Sequence, residues 1–185
     1  MRLLKLILIV VCAGLFFSSA YAADDGFGAS NKIESQHFIV FYAPQLDPYS
    51  LLEKLNISVS DSVLSDGSNV VGNGLAIALD TLYSLVMKAL DMNLYNLQSN
   101  LKICSDQEHL NRVYESIFNR KLKTSSFYIN EYNTIYISAD NFTKEILGHE
   151  IAHMIVSHYF VVQPPQKVAE ILSGYVEYQL RKPSR

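Results

Sequence analysis

The chain has 185 residues, of which 49% are hydrophobic and 18% charged, and its formal net charge is −3. That length and apolar content suffice for one domain with a sizeable core. The acidic balance and the lack of a basic cluster exclude nucleic acid as a partner, because nothing would neutralise its phosphates.

The first residues, Met1-Arg2-Leu3-Leu4-Lys5, are basic, and an apolar run from Leu6 to Phe17 leads to Ala20-Tyr21-Ala22. Basic start, apolar middle and small-residue end together predict an export signal over residues 1–22, cut before Ala23. The alternative is an uncleaved membrane anchor, but the apolar run is shorter than the roughly 20 residues that span a bilayer, so cleavage and no membrane segment after it are expected. No lipobox cysteine follows it, and the expected destination is the periplasm or the medium of a bacterial-looking cell. Losing Arg2 and Lys5 makes the exported chain more acidic. Cys12 goes with the leader, and Cys104 remains alone, so no internal disulfide can form. Its setting, Leu101-Lys102-Ile103-Cys104, reads as a buried, inert thiol. Any metal must therefore be held by histidine and carboxylate.

Residues 23–34 read as a polar, mobile leader, and 35–185 as a single domain. Ser35–Tyr42 is β-branched and aromatic, a first strand with His37 as a strand-end histidine. Asp47-Pro48 is an N-cap followed by proline at the first helical position, opening a short helix through Leu55. Residues 56–71 are rich in serine and aspartate and read as a loop. From Gly72 to Met92, Leu75, Ala78, Leu79, Leu82, Leu85, Val86 and Leu90 recur at helical spacing, which predicts the main scaffold helix. Leu101–Cys104 is a second strand. Asp106 caps a helix to about Arg120, with His109 solvated on its polar side. Ser126–Ile129 and Thr134–Ser138 form a hairpin across Asn130-Glu131-Tyr132-Asn133. A helix over 143–157 follows, with Asp140 or Asn141 as N-cap, and after Gln163-Pro164-Pro165 a last helix runs from Gln166 to about Leu180. No repeat and no glycine-rich phosphate loop occur.

The sharpest pattern lies in the 143–157 helix: His149-Glu150-Ile151-Ala152-His153. Residues four apart share a helix face, so both imidazoles can reach one metal ion. Glu150 then sits beside the metal, where it can take a proton from a water. A catalytic zinc needs a third protein ligand and one open position. The last helix offers Glu170 and Glu177. Glu170 follows His153 by 17 residues, enough for a turn and an antiparallel return. Glu177 reads either as an acceptor for an imidazole N–H or as a surface charge. His158 lies roughly 140° round the helix from His153 and is a poor ligand.

His149–His153, followed after a turn by Val168-Ala169-Glu170-Ile171-Leu172-Ser173-Gly174-Tyr175-Val176-Glu177-Tyr178, resembles the gluzincin metallopeptidases, in particular the small peptidase MA-like (minigluzincin) group. The resemblance implies an α+β, zincin-like fold. Its parts are a small twisted mixed sheet, a scaffold helix, the H-E-x-x-H helix and a C-terminal helix carrying the third ligand. It implies Zn2+ held by His149, His153 and Glu170, with Glu150 as general base, and a peptide or protein substrate paired with an edge strand at 134–138. Many such sequences read Glu-Gly-x-x-Glu-Tyr around the third ligand, which would put Ser173 at the ligand position, but serine is a poor zinc ligand. Larger members also stabilise the oxyanion with a residue from a further domain. Here only Tyr175 and Tyr178 stand downstream. The expectation is a secreted zinc metallopeptidase, the alternatives being a zincin-fold binding module without turnover and a protein that holds no metal.

Overall fold

The computed structural model describes residues 25–57 and 70–182. The export signal, the first two leader residues and most of the 56–71 loop lie outside the described residues.

Strands β1 (Asn31–Glu34), β2 (Phe38–Tyr42), β3 (Ser99–Cys104), β4 (Ser126–Ile129) and β5 (Thr134–Ser138) build one sheet in the order β1-β2-β3-β5-β4. The β1–β2 and β4–β5 pairs are antiparallel, whereas β2–β3 and β3–β5 are parallel. The helices are α1 (Pro48–Leu55), α2 (Val70–Leu90), α3 (Gln107–Phe118), α4 (Lys144–Tyr159) and α5 (Gln166–Arg181). The class is α+β, as expected. Among the described residues no helix is long and apolar enough to cross a membrane.

The two sheet faces follow the period of two along each strand. Phe38, Val40, Leu101, Ile103, Ile135 and Ile137 share one core cluster with residues of α1, α2, α4 and α5. Full burial of each such side chain contributes about 1.5–3 kcal/mol. Leu75, Ala78, Leu79, Leu82 and Val86 of the predicted stripe of α2 are buried, joined by Tyr83, whereas Leu85, expected in the stripe, is exposed. The other face carries Cys104, Ile129 and Tyr136 against Phe27 and against Leu110 and Val113 of α3. Burial, followed by the nearby carboxylates of Asp25 and Asp106, pushes the Cys104 thiol up to about 12, in keeping with an inert thiol.

Four further expectations are corrected. First, the edge strand next to α4 is β4, not 134–138: β5 lies between β3 and β4 and is buried along its whole length. Both faces of β5 must be covered, which suits an internal strand. Second, the leader is built into the fold over its described part. Residues 31–34 form β1, Phe27 is buried, and the Asp25 carboxylate accepts from Lys102 and from the Tyr136 hydroxyl at 2.6 Å. Third, His109 is not simply solvated. Its Nε2 lies 3.1 Å from the Phe27 carbonyl and its ring stacks on Phe27. Fourth, Thr143 caps α4, its hydroxyl accepting from the Ile146 amide. Asp140 lies in a short 3-10 turn and accepts instead from the Gln107 amide at 3.0 Å, tying that turn to α3.

His37 is a buried strand-end histidine stacked on Tyr83, with Nδ1 3.0 Å from the Leu97 carbonyl. Asp80 of α2 accepts from Ser35 Oγ and from the Gln36 and His37 amides, which anchors the turn before β2.

Helices α4 and α5 run antiparallel in close contact. Gly148 lies at this contact: a Cβ there would lie 2.2 Å from Leu180 Cδ1, so the end of that side chain would have to shift. Val176 and Ser173 turn inward and are buried.

Candidate metal centre

Residue 148 is where α5 comes closest, and the next residue is His149. Helical spacing sets His153 one turn further along α4, and the two Nε2 atoms lie 3.1 Å apart. The antiparallel return of α5 carries Glu170 over both rings. Its Oε2 is 3.6 Å from His149 Nε2 and 3.5 Å from His153 Nε2. A tetrahedral metal with bonds of about 2.0–2.2 Å requires ligand atoms roughly 3.3–3.6 Å apart. The two separations to Glu170 fall in that range and the imidazole pair is slightly closer, so the group could hold a metal ion. Two imidazole lone pairs this close repel one another unless a proton or a cation lies between them.

The rings are oriented for this role. Glu177 Oε2 lies 3.4 Å from His149 Nδ1, a pairing distance outside good hydrogen-bond geometry. A carboxylate on that side favours the proton on Nδ1 and leaves Nε2 free to ligate. Burial, then the neighbouring His149, lowers the basicity of His153 against the opposing pull of Glu170. The neutral ring favoured in this way is the ligating form.

Glu150 turns towards β4, is buried, and lines the same cleft as His149, His153 and Glu170. Its Oε1 accepts from Ser126 Oγ at 2.7 Å. Burial raises the carboxyl pKa, and Glu170 adds to this. The Ser126 hydrogen bond and the nearby His149 oppose it. A carboxyl whose pKa is raised by burial is suited to accept and return a proton.

Between α4, β4 and the start of α5 lies an open cleft of about 710 Å³, lined by His149, Glu150, His153 and Glu170. Ser126, Tyr128, Gln163 and Gln166 also line it. The structure therefore brings together His149, Glu150, His153, Glu170 and Glu177. It does not bring Tyr175 or Tyr178 there: both are about half exposed, and neither lines the cleft. The tyrosine that does line it is Tyr128, on β4, with its hydroxyl 3.4 Å from Ser157 Oγ. Ser173 is fully buried away from the cleft with no hydrogen-bond partner, which leaves Glu170 as the carboxylate at the third position. His158 turns back to the Met154 carbonyl, 3.0 Å from its Nδ1.

Sequence reading missed Ser126 and Tyr128. The period of two puts them on one face of their strand, but only the sheet order puts that face over α4.

Comparisons of the chain with protein-family models, with curated proteins and with solved structures find no match.

Proposed function

We propose that the protein is an exported zinc-dependent peptidase with a zincin-like fold, acting on extended peptide segments. The observation that carries the reading is the triangle of His149 Nε2, His153 Nε2 and Glu170 Oε2, with Glu150 lining the same cleft. Two imidazoles and a carboxylate with one position left open are a donor set that suits zinc. Bound there, zinc supplies Lewis-acid polarisation of a carbonyl and acidifies a water.

The chain's own residues do the rest. Ser126 holds one oxygen of Glu150 and leaves the other free to take the water proton. The same carboxyl then gives that proton to the leaving amine, so one water is consumed for each peptide bond broken. Strand β4 is the free sheet edge at the cleft and offers unpaired backbone groups to an extended peptide. Glu177, 3.4 Å from His149 Nδ1, places a negative charge on that side of the ring.

The test combines elemental analysis with cleavage of a denatured-protein mixture, with and without chelator. The expected results are one zinc per chain after dialysis and chelator-sensitive cleavage. In Glu150→Gln, zinc should stay and cleavage should drop by a factor of at least about 100. Cleavage retained in that variant would overturn the general-base assignment. A second reading, a zinc-binding module without turnover, is favoured by the outward position of Tyr175 and Tyr178. Bound zinc with no cleavage of any substrate would establish it.

A further inference from the structure

The side of α5 turned away from the metal centre is chemically unlike the rest of this acidic chain. At 100° per residue, Lys167, Val168, Ile171, Tyr175 and Tyr178 fall within about 100° of arc. All four apolar or aromatic members are exposed, Val168 by 43%, Ile171 by 61%, Tyr175 by 46% and Tyr178 by 60%. Lys182, just past the helix, lays its ammonium over the Tyr178 ring at 4.4 Å. The two acids of α5, Glu170 and Glu177, both face His149, about 60–80° round the helix from the nearer edge of this strip. The outer face is thus an apolar strip with a lysine at each end and no acid. The connection leading into it, Tyr159-Phe160-Val161-Val162, is also exposed, with Val161 at 103% and Val162 at 82%.

We propose that this face of α5, with the 159–162 connection, docks the protein on an anionic lipid bilayer surface. Two consecutive, almost fully exposed valines gain by entering the acyl boundary. Tyrosine suits the interfacial layer, where its ring is apolar and its hydroxyl stays wet. The lysine stems lie along the apolar strip while their heads reach anionic headgroups. Charge complementarity separates lipid from a second copy of this chain. Pairing α5 with itself sets Lys167 against Lys182 in the antiparallel arrangement and like against like in the parallel one, with no acid on the face to neutralise either. Because the same helix carries Glu170, docking would hold the cleft beside the membrane surface. The proposal stands independently of zinc and of peptide cleavage.

The chain contains no tryptophan, so Val162→Trp is a clean reporter. The experiment uses the chain from Ala23 onward, which keeps every described residue and omits the apolar leader. Vesicles are phosphatidylcholine with or without phosphatidylglycerol. The expected results are a blue shift of the reporter and co-flotation with phosphatidylglycerol vesicles. Val162→Asp with Ile171→Asp should weaken flotation at least about tenfold, and Lys167→Gln with Lys182→Gln by about fivefold for each lysine. Both pairs are surface changes, and an unchanged melting temperature shows that they fold. No blue shift, or flotation unchanged in both variants, would overturn the proposal. So would a dimer in light scattering that the aspartate pair dissociates without any vesicle binding, which would make the face a contact between copies.

Discussion

At the scale of single residues, the balance at Glu150 sets what its burial costs in stability. Its carboxyl is buried against Ser126, and burial raises its pKa in the folded chain. A group raised on folding contributes stability that is fully present below its unfolded value and lost as pH rises through its folded value. The metal-free protein should therefore lose stability on account of this residue as pH rises above the ordinary glutamate value. Glu150→Gln keeps an acceptor for Ser126 and removes the buried charge. Thermal melts of the chelated proteins should show the variant melting above the wild type at pH 8 and close to it at pH 4. A variant that melts lower at pH 8 would show that the carboxylate is not a net cost. The pentapeptide holding this residue was legible in the sequence because its spacing is local. Ser126 was not, since a serine opening a short strand carries no sign of a partner 24 residues away.

At the scale of elements, the metal centre depends on how closely α5 approaches α4. Gly148 sits at that crossing, with Leu180 against the space that its missing Cβ would take. Alanine could be absorbed by the flexible end of Leu180, offset by better helix propensity. Valine could not, and overpacking of this kind costs about 1–3 kcal/mol. Gly148→Val should lower the melting temperature and, by shifting α5, weaken zinc binding by at least about tenfold, read by competitive chelator titration. Unchanged affinity would mean that Glu170 does not depend on this contact. Periodicity and the Pro164-Pro165 break made both helices legible. It also gave the β4–β5 hairpin correctly, yet could not say which arm joins the sheet. Alternation reports which residues share a face, not which neighbour a strand pairs with. That is why the sheet edge beside α4 was expected at 134–138 and is found at β4.

At the scale of the whole molecule, both sheet faces are covered, one by four helices and the other by α3 with the chain leading into β1. The second cover includes Asp25, where burial opposes ionisation but hydrogen bonds from Lys102, Tyr136 and the Phe27 amide outweigh it, so its pKa is lowered. A lowered carboxyl contributes stability above its unfolded value and loses it as pH falls through its folded value. Asp25→Asn should therefore destabilise the protein by about 1–3 kcal/mol at neutral pH. The gap should narrow below about pH 4 in urea titrations. A gap that stays constant with pH would remove the ion pair from the account of stability. Composition suggested a mobile leader because Asp24, Asp25, Gly26 and Gly28 are polar or permissive. Phe27 and the pairing of residues 31–34 with β2 override that bias through contacts distant in sequence.

The most direct measurement is zinc K-edge X-ray absorption on the dialysed protein, beside Glu170→Ala and His153→Ala. The expected wild-type spectrum is one four-coordinate zinc per chain with two imidazoles and oxygen scatterers at about 2.0–2.2 Å. Zinc affinity should fall in both variants, with one imidazole missing in any zinc that His153→Ala retains. Zinc well below one per chain, or a variant spectrum identical to the wild type, would contradict a centre built from His149, His153 and Glu170.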